Sequence, residues 1–180
     1  MLGLIALSKP YMSVIVYEAN MLYAKVRVTN TGKFSGKEVV QVYIAKPQGK
    51  LGKPAKELAA FEKTRELQPG ESQLMILTWE INDMASYDDL GKVKKSAYVL
   101  EAGSYDIYVG TSVRDVTKAD YSYILNHDVI TEQLSAKLVP TSLPKRMLAD
   151  GSYEALHQSE PVDTDYSAIC LLYTSDAADE

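Results

Sequence analysis

Short runs of alternating side chains, separated by turn chemistry, limit what this chain can fold into. In "MLYAKVRVTN", Leu22, Ala24, Val26 and Val28 point one way, and Tyr23, Lys25 and Arg27 the other. Period two with one apolar face predicts a strand laid on a core. "EVVQVYIAKP" repeats the pattern. Val40, Val42 and Ile44 share a face opposite Val39, Gln41 and Tyr43, and Pro47, which lacks an amide donor, ends the run. "SQLMILTWEI" sets Met75, Leu77 and Trp79 against Leu74, Ile76 and Thr78. Both of its faces are apolar, so this strand is expected to be covered on both sides. "YVLEAGSYDIYVGTS" predicts two strands around a turn at Glu101 to Ser104, the second with Tyr105, Ile107 and Val109 on one face and Gly110 at its end.

The intervening segments are loops and turns. "QPGES" is the clearest turn, because Pro69 presets φ and Gly70 accepts a positive φ. "QGKLGKPAKE" reads as a loop and "NDMASYDDLGKVKKSA" as a long polar excursion. "KELAAFEKTREL" reads either as a short helix or as an extended segment whose Leu58 and Phe61 plug the core. Strands spaced by turns, without long helices between them, predict an all-β chain with an immunoglobulin-like antiparallel sandwich. After Asp120 the pattern weakens. "DVITEQLSAKL" places Ile130, Leu134 and Leu138 at helical spacing, yet also fits an extended segment. Pro140, Pro144 and Pro161 then interrupt a stretch with little regular period, which reads as an irregular arm toward another domain. The expected organisation is a lead-in over 1–20, the sandwich over 21–120, an interdomain arm over 121–170 and a tail over 171–180. The tail "LLYTSDAADE" resembles translated sequencing adapter and is set aside, its Cys170 with it; the other reading is a flexible natural tail.

Composition excludes several functions. The net charge is −5 with Lys and Glu interspersed, unlike the clustered positive charge of a nucleic-acid binder. One cysteine and two histidines exclude a Cys-rich zinc site, and a mixed site would need His127 and His157 to converge. The N-terminal "MLGLIALSKPYMSVIVY" lacks a basic start and is broken by Lys9 and Pro10, a poor signal peptide. No apolar run is long enough to cross a membrane, so neither nucleic acid nor membrane is an expected partner. Localisation stays open. The aromatic set is unusual: 13 Tyr, 2 Phe and 1 Trp. Tyr suits half-buried strands and wet interfaces, since its ring packs while its hydroxyl needs a polar partner.

The candidate chemistry is thin. "YDD", Tyr87 to Asp89, is the densest acidic site for glycosidic hydrolysis, but a solvated loop accounts for it. Asp106 is expected to face solvent or pair with a lysine. His127 beside Asp128 lacks the geometry of a triad, because adjacent residues rarely orient one another, and His157 lies in the arm. Gly32 and Gly36 in "NTGKFSGKE" lead into a strand and not a helix N-terminus, so they predict a tight turn between paired strands rather than a phosphate cradle. Asn82, Asp83, Asp88 and Asp89 match no calcium loop. Tyr87, Tyr98 and Tyr108 are expected to pack at the face of a neighbouring domain. A line of coplanar exposed rings would instead mark direct sugar binding. Trp79 is expected to be at least partly buried.

Taken together, "VRVTNTGKFSGKEVVQVYIAKP", "KPAKELAAFEK", "LQPGES", "DMASYDD" and "YVLEAGSYDIYVGTSVRDV" resemble the fibronectin type III-like domain of glycoside hydrolase family 3, which includes β-glucosidases and β-xylosidases. The resemblance covers about Leu22 to Val116. It implies an accessory sandwich packed against a catalytic barrel and an α/β domain. Those domains supply the nucleophilic Asp and the acid/base Glu, and neither motif is present here. The resemblance therefore implies no catalytic, cofactor-binding or metal-binding residue in this chain, no cofactor, and contact with carbohydrate only through those other domains. The arm resembles the segment that follows this module in enzymes where a barrel domain comes later in the chain. The other reading is an autonomous carbohydrate-binding or adhesion sandwich.

Overall fold

The computed structural model describes residues 5–7, 13–17, 20–135, 144–148 and 150–155. The described elements are strands and one short 3₁₀ turn. The chain divides into two compact units, the first formed by Met1–Gln48, Lys53–Met84 and Glu101–His127, the second by Gly49–Gly52, Ala85–Leu100 and Asp128–Glu180.

The first unit contains two antiparallel sheets. In one, β3 (Met21–Asn30) pairs along one edge with β1 (Ile5–Leu7) and β2 (Ser13–Tyr17), and along the other with β6 (Ser72–Glu80). The other has the order β10-β9-β4-β5, with β4 over Val39–Ala45, β5 over Glu57–Lys63, β9 over Gly103–Gly110 and β10 over Val116–Leu125. This is the sandwich that the alternation predicts. Leu22, Ala24, Val26 and Val28 are buried, as are Val40, Val42 and Ile44, and Tyr105, Ile107 and Val109. Trp79 is buried with Met75 and Leu77. Each fully buried aliphatic side chain contributes roughly 1.5–3 kcal/mol, so these rows dominate the unit's stability.

Two expectations fail here. The Leu74 and Ile76 face of β6 is more than half exposed, so β6 is covered on one side only within this structure. "KELAAFEK" is extended, as one of the two readings had it, but Leu58 and Phe61 do not plug the core: they are 50% and 68% exposed. The reason is a bulge. Val42 pairs with Ala60 and Tyr43 with Leu58, leaving Ala59 as an extra residue. Three residues apart, Leu58 and Phe61 would point to opposite faces of a regular strand. The extra residue turns both outward.

The connection from β3 to β4 also differs from expectation. These strands lie in different sheets, so "NTGKFSGKE" crosses the sandwich and does not close a hairpin. Neither Gly32 nor Gly36 has a positive φ. The crossing is held by Asn30, only 1% exposed. Its Nδ2 donates to the carbonyls of Phe34 and Leu67, both at 2.8 Å, and its Oδ1 accepts from Gly32 N–H at 2.9 Å. Its backbone carbonyl accepts from Gly70 N–H at 2.7 Å. Gly70 sits at φ 79° after Pro69, and Glu71 N–H closes onto Gln68 O at 2.9 Å, the type II turn that the sequence announces.

A buried ion pair closes one end of this unit. Lys53 Nζ donates to Glu101 Oε2 and to the carbonyl of Pro47, and the two side chains are 1% and 4% exposed. Gly103 beside it is at φ 139°, and a Cβ there would meet Pro47 Cβ at 2.7 Å. Tyr105, fully buried, donates its hydroxyl to the Glu101 carbonyl at 2.9 Å.

The second unit holds a three-stranded antiparallel sheet, β11-β8-β7, with β7 over Ser86–Asp88, β8 over Ala97–Leu100 and β11 over Val129–Gln133. Of the two readings of "DVITEQL", the extended one is correct. Leu51, Ala97 and Val99 form a small core with Val93 against it. A hairpin of β12 (Lys145–Met147) and β13 (Tyr153–Ala155) belongs to the same unit. The tail with Cys170, and Pro140, Pro161 and His157, lie outside the described residues.

Two substitutions test this account. Asn30→Ala leaves one buried and two half-buried backbone groups without their side-chain partner and is expected to cost about 2–3 kcal/mol, read as a lower urea midpoint. Lys53→Met removes the cation beside a buried carboxylate and is expected to cost about 3–5 kcal/mol, most of it recovered in the Lys53→Met, Glu101→Leu double variant.

Candidate functional site

The acidic residues are the natural place to look for chemistry, and the structure engages most of them. Asp88 is fully buried, not solvated as its loop suggested. Its Oδ1 accepts from Gly91 N–H at 2.7 Å and Lys92 N–H at 3.0 Å, and its Oδ2 from Val93 N–H at 2.6 Å and Lys94 N–H at 2.8 Å. Burial pushes its carboxyl up, but the four amides outweigh this and hold it below the usual range. A carboxylate so occupied organises the loop over 89–96 and has no lone pair directed at a substrate. Sequence reasoning missed this role, because the four donors are backbone groups that leave no mark in residue type.

Its neighbour Asp89 receives both bonds from Arg146 Nη1, at 3.1 and 3.0 Å. The same guanidinium donates to Glu154 Oε2 from Nε at 3.1 Å and Nη2 at 3.0 Å, and Lys92 reaches Glu154 Oε1 at 2.9 Å. Lys92 and then Arg146 hold the Glu154 carboxyl below its ordinary value. Asp106 pairs with Lys118 at 2.6 Å, as expected, and also accepts from Ser122 at 2.6 Å and Ser104 at 2.9 Å. These contacts, Lys118 first, hold its carboxyl low. His127 is exposed in the connection after β10, while Asp128 lies 3.8 Å from Lys50. The structure does not join them into a dyad. Asn82 and Asp83 lie in the 3₁₀ turn Asn82–Met84. Among the described residues, no group of three or more His, Cys, Asp or Glu could hold a metal ion.

One small pocket opens in the first unit. It measures about 60 Å³ and lies between Ile44, the Lys46–Glu57 ion pair at 2.6 Å, Leu58, Trp79 and Met84. That space suits water or a single functional group and is too small for a pyranose ring. The tyrosines do not make a stacking platform either. Tyr87 and Tyr98 sit opposite one another on β7 and β8, but their rings are tilted by 57° at 5.5 Å. Tyr108 has Lys56 Nζ over its ring at 4.9 Å.

The relatives of this chain say more than its described side chains do. The fibronectin type III-like domain family matches residues 38–113. β-Glucosidase A of Butyrivibrio fibrisolvens is 63% identical over 151 residues, which cover 84% of this chain and 18% of that enzyme. The chain carries the fibronectin type III-like domain found in family 3 β-glucosidases. A β-glucosidase of Ruminococcus albus is 44% identical over 132 residues, covering 71% of this chain and 14% of that protein. The crystal structure of a Paenibacillus barengoltzii β-glucosidase superposes with a TM-score of 0.74 at 40% identity, over 96% of this chain and 20% of that one. β-Glucosidase 3B of Thermotoga neapolitana gives 0.63 at 35% identity, over 73% and 17%. The chain thus spans 14–20% of the length of these enzymes.

Replacing Asp88 by Ala is expected to destabilise the second unit by about 3 kcal/mol, since four amides lose their acceptor. Because the native carboxyl titrates below its unfolded value, the unfolded chain takes up the proton first as pH falls. The stabilisation is complete above about pH 4 and declines from there downward through the native value. Wild-type chain should therefore lose hydrogen-exchange protection at Val93 and Lys94 on acidification below that point, and Asp88→Ala should lack this protection at neutral pH.

Proposed function

We propose that this chain is the accessory β-sandwich segment of a larger β-glucosidase and carries none of its catalytic, cofactor or metal-binding groups. The observation that carries the reading is the asymmetry of the match: 84% of this chain against 18% of the Butyrivibrio enzyme. The occupied acids support it, since Asp88, Asp89, Asp106 and Glu154 all serve local structure. In this reading the barrel and α/β domains of the parent lie elsewhere in the polypeptide and hold the two carboxyl groups. One attacks the anomeric carbon of a β-linked glucoside while the other protonates the leaving oxygen, and water then releases the glycosyl-enzyme intermediate. The sandwich expected over 21–120, whose last strand β10 runs on to Leu125, keeps those domains in register, and the rest of the arm expected over 121–170 leads onward. The coverage of 96% by the Paenibacillus structure against 73% by the Thermotoga one supports an arm shared with only some of these enzymes.

The test uses rigorously purified chain. No release of nitrophenol from an aryl-β-glucoside is expected, and no heat on titration with cello- or xylo-oligosaccharides. Turnover would overturn the absence of catalytic groups, and tight binding would favour an autonomous carbohydrate-binding sandwich. The coding sequence on either side of this segment should contain the nucleophile and acid/base motifs.

A further inference from the structure

We infer that the outer face of the four-stranded sheet β10-β9-β4-β5 is where another folded domain of the same polypeptide docks, with Phe61 and Leu58 as its anchors. This rests on the accessory-domain reading and names the surface it uses. The register sets out one row across the sheet, Leu58 beside Tyr43 beside Tyr108 beside Lys118, with Phe61 beside Gln41 in the next row. Neighbours in such rows stand about 5 Å apart, so the row forms a continuous surface. Its composition, large apolar and Tyr side chains with charges around them, is that of an interface core with a polar rim. Lys118 with Asp106 supplies charge at the β10 end of the row, and Lys56 lies over the Tyr108 ring.

Solvent alone does not account for the arrangement. Phe61 is 68% exposed and Leu58 50%, on an edge strand, where exposed apolar side chains invite unwanted pairing. The Ala59 bulge places both on one side. Sugar is not the favoured occupant, because Lys56 sits over the Tyr108 ring and the Tyr43 hydroxyl donates to Gln41 Oε1 at 2.5 Å. The relatives supply the occupant: about four-fifths of the Butyrivibrio and Paenibacillus polypeptides lies outside the matched segment.

The experiment replaces the matched segment of the Butyrivibrio β-glucosidase with this chain's and compares three forms: unmodified, Phe61→Asp, and Leu74→Asp on the opposite sheet. The expected result is an active unmodified chimera, with thermal inactivation accelerated about tenfold by Phe61→Asp, the size of losing one interface anchor, and little change with Leu74→Asp. Melting of the separate 180-residue chain should be the same with and without Phe61→Asp. An active chimera indifferent to Phe61→Asp overturns the docking face and leaves the accessory reading standing. An inactive unmodified chimera sinks the accessory reading and this inference with it. Phe61-dependent dimerisation of the separate chain, or Phe61-dependent oligosaccharide binding, assigns the face to another occupant and overturns the proposal.

Discussion

Everything in the first unit depends on burying alternate rows of side chains between two sheets. A strand commits every second residue to the core, and β3, β4, β6 and β9 each present an apolar inward row. The remaining requirement is to bring the chain from one sheet to the other without stranding polar backbone groups. Asn30 does this between β3 and β4. It is a buried polar side chain whose oxygen and amide hydrogens are matched to three backbone partners, which avoids the penalty of an unsatisfied group in a low-dielectric core.

The rows themselves were legible from sequence because the pleat is local. Leu22 to Val28, Val40 to Ile44 and Tyr105 to Val109 needed only their own spacing to be assigned to a face. The turn at Pro69 and Gly70 was legible for the same reason, since one residue presets φ and the next accepts a positive one. Which strand pairs with which is a long-range matter. The crossing after Asn30 therefore reads as a hairpin until the sheets are known. The second unit was also hidden. β7, β8 and β11 are short, β11 comes only after the whole of β9 and β10, and the polar run "NDMASYDDLGKVKKSA" conceals Asp88 as an organising centre.

The chemistry follows the same division. Asp106 with Lys118 was foreseeable as a strand carboxylate needing a cation. Asp88 was not, because backbone amides carry no residue label. The family was legible from ordered motifs, and the match over residues 38–113 agrees with them. The carboxylates of Asp88, Asp89, Asp106 and Glu154 hold local structure, while Leu58 and Phe61 stand exposed on β5.

The extra residue at Ala59 has a wider meaning. In a regular strand the two faces are locked to opposite parities of residue number, so a mutation trades core against surface one position at a time. A single inserted residue exchanges the parity of everything on one side of it. A strand can thereby move a whole set of apolar side chains from interior to exterior without changing any of them. In β5 a length change, not a change of side-chain chemistry, turns a core-type sequence into a contact surface.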